Sequence, residues 1–144
     1  MIKIICVGKI KEKFYRDAID EYMKRLSKYH KINIIEVIDS NIKTEATEIM
    51  KKIDTKDYII TLEIDGNQLS SEDLSKFIDK TFLNNSNLAF IIGGSNGLDD
   101  EIKKLSNYKL SFSKLTFPHQ LFRIILLEQI YRSFKILNNE TYHK

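Results

Sequence analysis

The sequence has 144 residues, of which 42% are hydrophobic and 30% charged, and its formal net charge is +3. This length and composition predict one globular domain over residues 1–144, and they exclude a chain that is disordered throughout. The mild positive charge permits an anionic partner such as a nucleic acid but does not require one.

Cysteine usage and apolar run lengths indicate where the protein works. Cys6 lies in an apolar run and has no second cysteine to pair with, so we expect a buried thiol and a reducing compartment. The apolar start is too short for a signal peptide, and no run of 18 apolar residues occurs. We therefore expect a cytoplasmic protein without a membrane span.

Strand and helix patterns alternate along the first half of the chain. Apolar, β-branched runs predict three strands, which cover residues 2–7, 32–38 and 58–64. The third strand is expected to end at the turn pair Asp65-Gly66. Helices are predicted from Glu12 and over 45–53. One apolar position per turn forms the expected buried face of the first helix: Phe14, Ala18, Tyr22, Leu26 and Tyr29.

The second half continues this alternation. Ser70 is predicted to cap a helix, because Asp73 follows three residues later and Leu69 can pack against Leu74. The remaining patterns predict a strand, a helix, a strand and a helix over residues 88–92, 99–105, 108–112 and 118–137. Pro118 suits the first turn of the last helix, where its missing N–H leaves no bond unmade.

Alternating strands and helices favour a three-layer α/β fold with a mainly parallel sheet, because parallel neighbours need a crossover that usually contains a helix. Ligands in such folds bind beyond the carboxyl ends of the strands. Leu62, Gly93 and the loop after Phe112 are therefore candidates for one common site.

The last helix pattern is apolar over most of its circumference, whereas a surface helix shows an apolar stripe about 100° wide. Six of the seven positions from 121 to 127 are apolar. We therefore predict a symmetric dimer through this helix. The alternative is a central helix that a single subunit covers completely.

No single motif identifies a reaction. The glycine turn at 93–97 follows a strand but lacks the P-loop ending and the G-x-G-x-x-G spacing, so on this pattern alone a structural turn is the better interpretation. The serines have neither a G-x-S-x-G elbow nor a base partner, which argues against acyl transfer. His30, His119 and His143 have no Cys or carboxylate at metal-binding spacing, so we predict no metal site.

The last helix and the chain end carry the remaining candidates. We interpret His119 as a helix-terminal hydrogen-bonding residue rather than a catalyst. His143 belongs to the terminal run 142–144, which is either frayed, as chain ends usually are, or a functional tail. Arg123 and Arg132 are nine residues apart, so they point to opposite sides of the helix. In a dimer, one can face its own pocket and the other the neighbour's.

Motifs spread over the whole chain resemble the RlmH-type ribosomal RNA methyltransferases, small members of the SPOUT class. The combination is specific although no single motif is. The motifs are VGKIKE at 7–12, TLE at 61–63, FIIGGSNG at 90–97, LSFSKLTFPHQ at 110–120, Arg123, EQIYR at 128–132 and YHK at 142–144.

The resemblance implies an α/β fold whose C-terminal part is threaded as a trefoil knot, in a homodimer that binds S-adenosylmethionine. The implied substrate is a pseudouridine in a stem-loop of large-subunit (23S) RNA, methylated at N3 within the assembled ribosome. Carried over by position, the cofactor contacts would be Leu62, Gly93, Phe112, Ser113, Lys114, Leu115, Thr116 and Phe117.

Methyl transfer from a sulfonium needs an in-line approach, a desolvated pocket and loss of the imide proton, but no metal. Our hypothesis is that the catalytic residues His143, Tyr142 and Arg132 lie at the base, with His143 as the general base. Arg123 and Lys144 would bind substrate phosphates or imide oxygens, and Lys114 would act beside the cofactor.

Two other functions fit the same α/β dimer. A non-enzymatic RNA-binding or ribosome-binding factor would not bind S-adenosylmethionine. A nucleotide-binding regulator built on the glycine turn would prefer ATP or GTP. Calorimetry with the three ligands distinguishes these alternatives.

Overall fold

The computed structural model describes all 144 residues, and its strands and helices alternate along the chain. The strands are β1 (Ile2–Val7), β2 (Ile32–Val37), β3 (Asp57–Gln68), β4 (Asn87–Ile92) and β5 (Tyr108–Ser111). The helices are α1 (Lys13–Leu26), α2 (Ile42–Met50), α3 (Ser71–Phe82), α4 (Asp100–Leu105) and α5 (His119–Leu137). No helix has both the length and the apolar character needed to cross a membrane.

The strands form one sheet in the order β2-β1-β4-β3-β5, and every neighbouring pair is parallel. The predicted parallel α/β sheet is therefore confirmed. Each parallel connection needs a crossover, which the intervening helix supplies. All six residues of β1 are buried, because helices cover the sheet on both faces. This is why the central strands are continuous apolar runs rather than alternating ones.

Side chains that alternate along β1 face two separate cores. Ile2, Ile4 and Cys6 face the larger core, which α1, α3 and α5 complete. Ile5 and Val7 face a smaller core, which α2 and α4 complete. This two-residue alternation follows from strand geometry and gives the three layers that the sequence predicts.

Helix α5 lies between α1 and α3 on the larger core. Seven of its residues are buried and none is fully exposed, so one subunit covers most of its apolar circumference. This agrees with the alternative interpretation of a central helix, and the dimer stays a prediction. One side remains part-exposed, which we call the outward stripe: Leu121, Ile125, Glu128, Arg132 and Ile136.

The structure corrects the predicted end of β3. The strand continues through the expected turn, because Leu62 and Asn67 both pair with Leu110 on either side of an irregular segment. Gly66 lies in this segment, where a Cβ would stand only 2.8 Å from the carbonyl group of Lys109. The glycine therefore permits close strand approach and does not end the strand.

Capping explains two helix starts, one predicted and one missed. Ser70 accepts a hydrogen bond from the Asp73 N–H, which confirms the predicted cap of α3. The Asn41 side chain caps α2 in the same way, so α2 begins three residues earlier than its apolar pattern indicated. The prediction that Phe14 is buried was wrong. Its side chain is 65% exposed in the first turn of α1 and packs on Tyr15.

Candidate functional site

A cavity of about 340 Å³ lies at the carboxyl ends of β3, β4 and β5. The exposed side chain of Lys114 does not line this cavity, so the prediction that Lys114 contacts a ligand there was wrong. The structure brings the other seven predicted cofactor contacts together around the cavity: Leu62, Gly93, Phe112, Ser113, Leu115, Thr116 and Phe117.

The glycine turn after β4 forms one wall of the cavity. The N–H of Gly97 donates to the carbonyl of Gly94 at 3.0 Å, and Gly97 has a left-handed φ of 76°. A Cβ on Gly93 would lie 2.7 Å from the carbonyl group of Gly97. The glycines therefore serve a tight turn, and the same turn presents its backbone to the cavity.

Aromatic rings form a second wall. Phe112 meets Phe122 edge to face at 4.9 Å between ring centroids, and Phe117 stacks on Phe122 at 6.0 Å. The bend between them is held by the Ser113 hydroxyl oxygen, which accepts a hydrogen bond from the Leu115 N–H at 2.9 Å. These rings offer apolar faces suited to a planar ligand group.

Sequence reasoning missed several polar residues of the cavity wall. Glu63, Asp65 and Lys103 line it, and the Thr61 hydroxyl donates to Glu63 at 2.6 Å. Glu63 and Asp65 follow the predicted Leu62 within three residues in the irregular part of β3, which was the available signal, whereas Lys103 on α4 had none. His119 also lines the cavity, and it is the first residue of α5, as its helix-terminal interpretation predicts.

A buried carboxyl lies beneath the glycine turn. Glu45 is 3% exposed, and its Oε2 accepts the Ser40 N–H at 2.8 Å while Oε1 has no partner. A Cβ on Gly94 would lie 3.5 Å from that Oε1. Burial is the main cause that raises the pKa of Glu45, and nearby Asp39 adds to it.

The structure corrects the substrate-binding prediction for Arg123. Its side chain is 2% exposed, with one guanidinium nitrogen donating to Glu36 at 2.6 Å and another to the Gly8 carbonyl at 3.1 Å. These bonds tie α5 to the end of β1 and to β2. A buried guanidinium committed to two acceptors has no surface to offer a phosphate.

The C-terminal tail folds back over the outward stripe instead of fraying. Arg132 forms an ion pair with Glu128 at 2.6 Å, and the Tyr142 hydroxyl donates to the other Glu128 oxygen at 3.0 Å. The His143 ring lies 3.0 Å from Arg132 and 2.6 Å from Glu72. Arg132 thus lies on the side of α5 opposite the buried Arg123, as the spacing predicts.

A family model described as "Predicted SPOUT methyltransferase" matches residues 1–143 of the chain. The chain belongs to the SPOUT methyltransferase family.

Curated relatives of this SPOUT methyltransferase match over almost the whole chain. A protein of Clostridium botulinum (strain Alaska E43 / Type E3), named ribosomal RNA large subunit methyltransferase H, is 54% identical and covers 99% of both chains. A protein of the same name from strain Eklund 17B / Type B is 52% identical with the same coverage. A Clostridium perfringens (strain SM101 / Type A) protein, named ribosomal RNA large subunit methyltransferase H 1, is 48% identical.

A solved structure supports the fold of the SPOUT domain. It is described as a probable methylase family protein from Haemophilus influenzae Rd KW20, and it superposes with a TM-score of 0.59 at 10% identity. The match covers 99% of this chain and 70% of the solved one. At this identity the likeness concerns the fold alone.

The tail of this SPOUT methyltransferase does not reach its own cavity. Arg132 follows the cavity residue Phe122 by ten positions of α5, which is about 15 Å along the helix axis. Glu72 and Glu128 hold His143 and Tyr142 beside Arg132, and neither tail residue lines the cavity. The cavity and the tail are therefore two separate clusters within one subunit.

Proposed function

We propose that the chain is an S-adenosylmethionine-dependent methyltransferase that acts on N3 of a pseudouridine in a large-subunit (23S) rRNA stem-loop. The observation that carries this proposal is the convergence of seven predicted cofactor residues in one cavity of a SPOUT methyltransferase. The names of relatives about half identical over the full chain support an rRNA substrate. A ribosomal substrate also supports the expected cytoplasmic location.

The cavity residues fit the proposed cofactor. The volume of about 340 Å³ lies within the usual range for small-molecule sites. The missing Cβ of Gly93 lets the turn close with its backbone toward the cavity, and Phe112 and Phe117 can flank an adenine ring. The carboxylates of Glu63 and Asp65 suit the positive groups of the molecule. When bound, S-adenosylmethionine supplies an electrophilic methyl group.

A dimer would complete the site. Two apolar residues of the outward stripe, Leu121 and Ile125, lie at the cavity end of α5 and pack against neither core. A two-fold contact through this stripe buries it and directs one subunit's tail toward the partner's cavity. The threading of α5 as a trefoil knot is part of the same proposal.

The tail residues would then meet the target base. Methylation at N3 requires the imide proton to leave, and the negative charge that develops falls on the neighbouring carbonyl oxygens. Arg132 offers donors for those oxygens, Tyr142 and His143 lie beside it, and Lys144 offers a cation for a phosphate. The desolvated cavity favours transfer because it excludes competing water.

We propose the assembled ribosome as the substrate form. The net charge of +3 gives little general affinity for RNA, and any such affinity falls with salt. Recognition then depends on the shape of the ribosome and on residues of both subunits. Naked RNA should be a poor substrate.

The decisive experiment uses unmethylated ribosomes and isotopically labelled S-adenosylmethionine. Mass spectrometry of the large-subunit RNA should find one labelled methyl group on a single pseudouridine. Calorimetry should show saturable binding of S-adenosylmethionine, with ATP and GTP as matched controls. Absence of donor binding would refute the proposal, and efficient methylation of protein-free RNA would refute the ribosome requirement.

A further inference from the structure

The His143 ring is held between two partners from different helices. Its Nδ1 lies 3.0 Å from an Arg132 guanidinium nitrogen on α5, and its Nε2 lies 2.6 Å from Glu72 Oε1 on α3. The side chain of His143 is 25% exposed, so both contacts form in a partly desolvated setting. The ring therefore has a direct partner at each nitrogen.

The chemistry of the two partners decides which nitrogen carries the proton. Arginine only donates hydrogen bonds, so Nδ1 must offer its lone pair to Arg132. Nε2 must then carry the hydrogen and donate to the Glu72 carboxylate. Glu72 is suited to accept, because its own backbone N–H at the start of α3 and then the His143 ring lower its pKa. A proton on Nδ1 would point at the Arg132 N–H, and two donors cannot form a hydrogen bond with each other.

We propose that Glu72 is a positioning residue that, together with Arg132, holds His143 as the neutral Nε2–H tautomer and ties the C-terminal tail to α3. The proposal rests on the proposed function, in which the tail contributes to a partner's site. The charged and titratable groups around His143 are Glu72 of α3, Glu128 and Arg132 of α5, and Tyr142 and Lys144 of the tail.

This arrangement changes the expected role of His143. Accepting the imide proton at Nδ1 would require the Arg132 guanidinium to leave, and Nε2 is already protonated. His143 thus acts by orienting Arg132 and the tail, and the imide proton leaves to solvent water instead of to His143. A chain of hydrogen bonds replaces the general-base hypothesis: Arg132 donates to His143, and His143 donates to Glu72.

Nitrogen NMR of the full-length protein labelled at histidine tests the tautomer without any activity. A His143→Gln variant identifies the His143 signals among those of the three histidines. At neutral pH we expect one unprotonated nitrogen, Nδ1, and one protonated nitrogen, Nε2. In Glu72→Ala the preference should weaken toward a solvent-averaged mixture, whereas Glu72→Gln keeps an acceptor oxygen and should preserve it. A proton on Nδ1, or a ring doubly protonated at neutral pH, would overturn the proposal.

The methylation assay on unmethylated ribosomes tests the functional half. Glu72→Ala should lower kcat roughly three- to tenfold, as expected for one lost hydrogen bond, while KM for S-adenosylmethionine stays unchanged. Glu72→Gln should recover most of the rate. Glu48→Gln, which removes a comparable exposed ion pair on α2, is the control and should act like the wild type. Unchanged kcat in Glu72→Ala would refute the positioning role. If the wild type itself transfers no methyl group, the proposed function fails, while the NMR result still decides the tautomer.

Discussion

Substituting the glycines of the turn one at a time tests whether this turn shapes a cofactor site. In Gly93→Ala the new Cβ would stand 2.7 Å from the backbone carbonyl group of Gly97, inside any real contact distance. Backbone atoms cannot rotate away, so the turn itself must move. In Gly97→Ala the Cβ meets nothing within 4 Å, and only the φ of 76° opposes the change. Gly93→Ala therefore tests the effect of displacing the turn, and Gly97→Ala tests the effect of local backbone strain alone.

The expected magnitudes follow from these distances. Relief of the Gly93→Ala overlap resembles overpacking of a core and should lower the free energy of unfolding by about 2–3 kcal/mol. A shift of several tenths of an ångström in the cavity wall should also weaken S-adenosylmethionine binding at least about tenfold. Gly97→Ala should cost about 1–2 kcal/mol for a left-handed alanine, with a smaller effect on binding. Gly94→Ala meets side-chain atoms instead of backbone, the buried Val7 at 3.0 Å and Glu45 Oε1 at 3.5 Å, and should cost about 1 kcal/mol.

Urea unfolding gives the stability changes, and calorimetry gives the affinity for S-adenosylmethionine. Gly93→Ala should lose the most affinity for S-adenosylmethionine, and Gly97→Ala and Gly94→Ala should lose much less. Wild-type affinity in a folded Gly93→Ala variant would refute the reasoning, because it would mean that the turn does not contact the cofactor.

Three further changes test the tail, the buried arginine and the buried thiol. His143→Ala should reduce turnover on ribosomes by more than about tenfold and leave S-adenosylmethionine affinity within about twofold, since the proposed place of the tail is at the target base and not at the cofactor. Arg123→Gln should lower the free energy of unfolding by about 1–3 kcal/mol, because the Gly8 carbonyl loses its charged donor. Burial raises the pKa of Cys6 to about 12, so only the unfolded thiol ionises above pH about 9. Stability should therefore fall by up to roughly 1.4 kcal/mol per pH unit between about 9 and 12, and Cys6→Ala should remove that part of the loss.

Each of these has a clear contrary result. Unchanged turnover in His143→Ala would exclude the tail from the reaction. Arg25→Gln removes an exposed pair with Glu21 and should cost less than about 1 kcal/mol, so an equal loss in Arg123→Gln would argue against a buried anchor. Identical alkaline unfolding of the wild type and Cys6→Ala would show that the native thiol titrates normally.

Most of the architecture could be predicted from local patterns. The nearly continuous apolar runs of β1 and β4 indicate strands covered on both faces, and their alternation with amphipathic helices indicates a parallel sheet. The Ser70 cap was readable in the same way. The start of α2 was missed because its signal is the capping side chain of Asn41 and not an apolar repeat.

The amino-acid sequence by itself determined the α/β alternation and the strand-end positions from which Leu62, Gly93 and Phe112 line one cavity, because periodicity and parallel connections are local constraints. Only the tertiary structure decided that Arg123 is buried and that His143 is held by Glu72. Those outcomes depend on which groups lie within hydrogen-bond distance after the chain packs. Residues 71 positions apart carry no pattern that reveals such a contact.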